Sequence, residues 1–203
     1  MHHEIKNVIS GLTPVAKSGT IIAALSFLGT SKNASSTIEK SELINKKDEA
    51  KQLVNNFSAP ANELNIESYL TEGAEQQVYL YHDGKYVLKT NDAIFYETWK
   101  DYLESLLLHN YFFPATAYEL LGFMVKGDAI VAIVKQAFVC IDEVTNLEDV
   151  RQFMNDNGFS ITRNNDYFNA DLKILIEDLH DENVVVNKGV LFFIDTVIYI
   201  KKS

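Results

Sequence analysis

Three oxygen-bearing side chains near the carboxy end of this 203-residue chain, Asp178, Asn183 and Asp195, have the types and spacing to do chemistry. Residues Val184 to Val186 and Val190 to Ile194 read as the strands of a hairpin closed by Asn187-Lys188-Gly189. Asn183 then enters one strand as Asp195 leaves the other, so both return to the open end, and Asp178 lies just upstream at that same end. Two carboxylates and an amide converging there supply hard oxygen ligands for Mg²⁺ and leave one carboxylate to accept a proton. Taken one at a time, each residue reads as a turn former in a solvated acidic loop. Their joint spacing favours a site.

The elements that must position these groups are short and antiparallel. Val78 to Tyr81 and Tyr86 to Lys89 flank His82-Asp83-Gly84-Lys85, and an Asp-Gly pair between β-prone runs signals a hairpin. A core helix follows, capped by Asn91 or Asp92, with Ile94, Phe95, Trp99, Tyr102, Leu103, Leu106 and Leu107 as its apolar face. A second hairpin, Tyr118 to Val125 with Ala129 to Val134, turns at Lys126-Gly127-Asp128, and a capped helix spans about Asn146 to Asn157, stopped by Gly158. Asn164, Asn165 and Asp166 read as a turn. This order is an α+β pattern with antiparallel strands and excludes a doubly wound sheet.

The spacing of Asp178, Asn183 and Asp195 resembles the protein-kinase-like superfamily, whose catalytic loop runs H-x-D-x-x-x-x-N with a metal-binding Asp about a dozen residues later. Asp178-Leu179-His180 and Phe193-Ile194-Asp195 are similar in wording to aminoglycoside and choline phosphotransferases. Taken with Glu72-Gly73-Ala74-Glu75, Phe113-Pro114 and Gln136, residues 67 to 203 look most like the small kinase domain of polyvalent proteins from bacterial mobile elements. The resemblance implies a minimal two-lobe kinase-like fold with an antiparallel N-lobe sheet and a truncated C-lobe.

It also implies roles. Asp178 would be the catalytic proton acceptor, with Asn183 and Asp195 the Mg²⁺ ligands. Lys89 would contact the α and β phosphates of ATP, with Glu97 on the following helix, or Glu104 two turns later, as its ion-pair partner. Gly73 falls in the glycine-rich loop, where one glycine stands in place of three and Gln76 and Gln77 offer side-chain donors. Val78 would cover the adenine, and Lys135-Gln136-Ala137-Phe138 would be the hinge; Gln136 reads equally as a surface residue after a strand. His180 either meets a phosphate, orients Asp178 or makes a structural hydrogen bond. Ile176 and Glu177 replace the usual His and Arg before Asp178, and Thr196-Val197 follow Asp195 in place of Phe and Gly. Regulation by loop phosphorylation and ordinary peptide docking are therefore not expected. The expected partners are a nucleotide and an unidentified protein or small-molecule hydroxyl acceptor. The alternative is a catalytically inactive, pseudokinase-like nucleotide- or protein-binding module.

Composition bounds the rest. With 47% hydrophobic and 23% charged residues the chain can bury a core, and a net charge of -10 disfavours nucleic-acid and membrane partners. The single Cys140 fits a reducing, cytoplasmic setting and argues against cysteine-ligated zinc; it reads as a packing residue. His2 and His3 are not taken as ligands, and His109 reads as a polar or cationic group near a helix end. The run Ile21 to Gly29 reads as an ordinary helix rather than a secretory signal. Only Phe27 and Phe57 of the aromatics precede residue 67. Residues 1 to 66 are accordingly expected to be a helical appendage, with helix-like spacing over Ile5 to Leu28 and Ile38 to Phe57, and 67 to 203 the packed domain.

Overall fold

Turn chemistry sets most of the strand pairs in a computed structural model that describes residues 2–34, 46–60, 68–73 and 76–201. In chain order the elements are α1 (His2–Ile9), α2 (Gly19–Ala34), α3 (Lys46–Asn56), β1 (Tyr69–Glu72), β2 (Gln76–Leu80), β3 (Tyr86–Asn91), α4 (Trp99–Phe112), β4 (Glu119–Lys126), β5 (Ala129–Ala137), α5 (Leu147–Asp156), β6 (Ser160–Ile161), β7 (Tyr167–Asn169), β8 (Ile174–Glu177), β9 (Val184–Asn187), β10 (Val190–Phe193) and β11 (Val197–Ile200). A 3₁₀ turn at Pro114–Thr116 follows α4. The fold is α+β, its strands pair antiparallel, and it divides into two compact units as expected of a small two-lobe kinase-like fold. None of the helices among the described residues is long and apolar enough to cross a membrane.

The five-stranded unit comprises Ala16–Glu104 and Tyr118–Phe138, with strand order β1-β2-β3-β5-β4. Leu88, Leu103, Leu120, Phe123 and Ile133 are buried in it, and Trp99 meets Tyr102 and Phe123 edge to face. The outer edge of β4 is occupied: Phe123 donates to the carbonyl of Phe57 (2.7 Å) and accepts from the amide of Ala59 (2.9 Å), so the chain leaving α3 satisfies groups that an edge strand would expose. Gly122 permits this approach. Its φ is 140°, and a Cβ there would lie 2.5 Å from the Phe57 carbonyl oxygen.

The hairpin unit comprises Met1–Val15, Ser105–Ala117 and Val139–Ser203. It holds the β9–β10 hairpin and a four-stranded sheet ordered β11-β8-β7-β6. Lys188 (φ 51°) and Gly189 (φ 71°) close the hairpin as a two-residue loop with both residues left-handed, the type I′ geometry that matches strand twist. Asn146 caps α5 as expected, accepting from the Glu148 amide. The four-stranded sheet has no counterpart in the sequence reading, because strands of two to four residues carry too few alternations to register as a period.

Two helices differ from expectation. The stretch from Ile5 to Leu28 is two helices, interrupted between α1 and α2 where Gly11 and Pro14 lie; the expected helix from Ile38 falls outside the described residues until 46. The core helix starts at Trp99, not after Asn91 or Asp92. Those two side chains instead accept from the amides of Ala93 (2.6 Å) and Ile94 (3.1 Å), closing Asx turns that divert the chain. Thr98 and Asp101 form the capping box: Asp101 Oδ2 accepts from the Thr98 amide (3.1 Å), and Thr98 Oγ1 from the Asp101 amide (3.1 Å). Ile94 and Phe95 are consequently 60% and 62% exposed rather than part of the core face.

Two stability measurements check this account. Gly122→Ala should cost at least about 2 kcal/mol in denaturant unfolding, since it adds left-handed strain and a backbone clash. Thr98→Ala should cost about 1 kcal/mol through loss of the cap.

Candidate functional site

The open end of the β9–β10 hairpin assembles the acidic cluster. Val184 pairs with Phe193, and beyond that pair the Asn183 carbonyl accepts from the amides of both Ile194 (2.9 Å) and Asp195 (3.4 Å). The side chain of Asn183 works in the other direction. Its Nδ2 donates to the carbonyl (2.9 Å) and to Oδ2 (3.0 Å) of Asp178. Asp178, Asn183 and Asp195 are thus brought together within one unit, as their spacing requires. Asn183 uses its amide nitrogen inward and leaves Oδ1 as the atom a cation would take.

Asp178 is held in an unfavourable backbone conformation. Its φ of 70° is left-handed, which an L-residue with a side chain adopts only when its surroundings impose it. Three contacts do so: Asp166 Oδ1 accepts from the Asp178 amide (3.2 Å), the Leu179 amide donates to the Asn165 carbonyl (3.1 Å), and Asn183 grips the carbonyl. His180 lies against the carboxylate. Its Nδ1 accepts from the Glu182 amide (3.2 Å), and its Nε2 is 3.2 Å from Asp178 Oδ1 and 3.1 Å from Asn183 Nδ2. Of the readings open for His180, the structural hydrogen bond is formed, from the Glu182 amide, and the approach of Nε2 to Asp178 Oδ1 also accords with orientation of Asp178. Asp166 is a supporting residue that sequence reasoning placed only in a turn; it reaches Asp178 because β7 and β8 pair Tyr167 with Ile176.

The remaining predicted site residues lie in the five-stranded unit. Lys89 pairs with Val78 across β2 and β3, is 5% exposed, and holds its ammonium 5.6 Å from the centre of the Tyr118 ring, a cation–π contact. Glu97 is exposed and precedes α4 instead of lying on it, a consequence of the shifted cap. Glu104 is on α4, partly buried, and ion-paired with Lys100. Gly73 donates to the Gln76 carbonyl (2.8 Å), closing the β1–β2 connection, while Ala74 and Glu75 lie outside the described residues. Gln77 is engaged within the unit: it donates to Glu72 (3.0 Å) and accepts from Lys126 and Tyr79. Gln136 is 1% exposed inside β5, opposite Val87, and is no surface residue; β4 pairs only as far as Lys135, and the Phe138 amide donates to the Lys85 carbonyl (2.9 Å) as the strand ends.

Among the described residues no three His, Cys, Asp or Glu side chains are grouped to hold a metal. An amide oxygen and a carboxylate from Asn183 and Asp195 nevertheless suit Mg²⁺, which takes one or two protein oxygens and completes its octahedron with water and phosphate. Beside this cluster the four-stranded sheet borders a cavity of about 490 Å³, lined in part by Arg163, Asp166, Glu177 and Lys201. Burial raises the Glu177 pKa, and Asp166 raises it further, against the opposing pull of Lys201 and Arg163. Because the folded carboxylate is the disfavoured form, this group's contribution to stability is present below its unfolded pKa and is lost as pH rises through the folded one. Glu177→Gln should therefore raise the melting temperature at pH 7, with the gain shrinking toward pH 4 in paired thermal melts.

No curated protein and no solved structure matches the chain significantly. A family model described as a serine/threonine/tyrosine kinase found in polyvalent proteins matches residues 39–202, a span that takes in the whole of α3. With most of its length matched, the chain belongs to the polyvalent-protein kinase family.

Proposed function

We propose that the chain is an ATP- and Mg²⁺-dependent phosphotransferase acting on a hydroxyl of a protein or small molecule. The observation that carries this reading is the single hydrogen-bonded cluster in which Asn183 joins Asp178 to Asp195. Phosphoryl transfer depends mostly on positioning and on balancing charge at the phosphate oxygens, and the residues divide that work. Asp178, oriented by His180 and Asn183, accepts the proton of the attacking hydroxyl. Asn183 Oδ1 and the Asp195 carboxylate hold the metal, which when bound neutralises phosphate charge. Lys89, kept as a buried point charge against Tyr118, meets the nucleotide phosphates, and Glu104 on α4 is a better-placed pairing candidate than Glu97 by its element and burial.

Asp178→Asn tests the assignment with the least disturbance, since asparagine tolerates the left-handed backbone and can still accept from Asn183. It should lower the transfer rate by about 10²- to 10⁴-fold while nucleotide binding is kept; equal loss of both counts against it. Lys89→Met should weaken ATP binding in a thermal-shift titration with ATP and Mg²⁺. Absence of any shift for the unaltered chain at millimolar nucleotide would replace this reading with a protein-binding module of the same fold.

A further inference from the structure

The segment that carries Asp195 is fastened by side chains that the proposed chemistry does not use. On α4, Ser105 and His109 are one turn apart on the same face, and both are buried. Ser105 Oγ accepts from the Ile198 amide (2.9 Å), and His109 Nδ1 lies 2.8 Å from Thr196 Oγ1. His109 is 0% exposed and its Nε2 lies 3.1 Å from the Thr116 carbonyl. A carbonyl only accepts, so Nε2 carries a hydrogen; in the neutral ring Nδ1 is then the acceptor and the Thr196 hydroxyl donates to it. The other side of the segment is fixed through the same turn: Thr116 Oγ1 donates to the Phe193 carbonyl (2.5 Å), and Phe113 stacks on Phe193 at 4.2 Å. Residues 193, 196 and 198 are all held, so the backbone on both sides of Asp195 is immobilised.

We propose that His109 is a positioning residue for the metal site, acting through the Thr196 hydroxyl to fix where the Asp195 carboxylate is presented. The inference rests on the reading of Asp195 as a magnesium ligand. A packing role alone would require only a ring of this size. The positioning role requires the acceptor at Nδ1, and two amide replacements separate these demands: His109→Asn retains an acceptor near the Nδ1 position, whereas His109→Gln retains a donor near Nε2 and loses the contact with Thr196.

The test measures binding of a non-hydrolysable ATP analogue by calorimetry as Mg²⁺ is varied, alongside transfer activity. His109→Gln and Thr196→Val should each raise the Mg²⁺ concentration for half-maximal analogue binding by about tenfold, the loss typical of removing a group that orients a metal ligand. His109→Asn and Thr196→Ser should stay near the unaltered protein. The double variant His109→Gln/Thr196→Val should be no worse than either single one, since both remove the same contact. If Thr196→Val keeps the ordinary Mg²⁺ dependence while Asp195→Asn loses it, the role of His109 is overturned and Asp195 stands as a ligand. If Asp195→Asn is also unchanged, the metal assignment itself falls and this inference with it. Should His109→Gln not fold, the Thr196 pair decides, because valine replaces threonine without change of shape.

Discussion

One asparagine holds the candidate site together. The Asn183 carbonyl receives the amides of Ile194 and Asp195, and its side chain grips Asp178, so three chain segments meet on a single residue. That meeting depends on register. In an antiparallel pair a slip of one residue sends every side chain to the opposite face, and here it would expose buried Val184 and Phe193 while moving Asp195 away from Asn183. The register is enforced at the far end of the hairpin. Asp142 accepts from the Lys188 amide (3.0 Å) and Glu143 from the Gly189 amide (3.1 Å), so the left-handed turn is gripped from outside.

The second organising element is α4. Its start is set twice, by the Thr98–Asp101 box and by Glu49 of α3, whose Oε2 accepts from the Trp99 amide (2.8 Å). A carboxylate at a helix N-terminus satisfies an otherwise unpaired donor and opposes the positive end of the helix dipole. Lys46 of α3 adds a hold on the preceding loop by donating to the Tyr96 carbonyl (2.9 Å). Further along, the helix changes task. Ser105 and His109 turn its buried face into a set of polar anchors for the chain after β10. A helix buried nearly all round serves here both as core and as a template for backbone hydrogen bonds.

Much of this could be read in advance where the signal is local. Three of the hairpins announce themselves through Asp83-Gly84, Gly127-Asp128 and Lys188-Gly189, and the cap of α5 through Asn146. The cluster of Asp178, Asn183 and Asp195 was legible because its members flank one such hairpin. Asn91 and Asp92 misled for a physical reason: the same side chains that cap helices also close Asx turns, and a left-handed Ala93 (φ 56°) decides between the two only once the chain is packed. That choice is what removed Glu97 from α4.

The sequence by itself determined which segments turn back on themselves and which polar residues would meet at the open end of the last hairpin. Those outcomes follow from φ preferences and side-chain periods that act over a few neighbouring residues. Only the tertiary structure decided that Asp166 would support Asp178, that Glu49 would cap α4, and that His109 would take hold of Thr196. Each of these is a hydrogen bond between residues 12, 50 or 87 positions apart. Its formation depends on burial and on donors left over after every local pairing is satisfied, a quantity that no window of sequence contains.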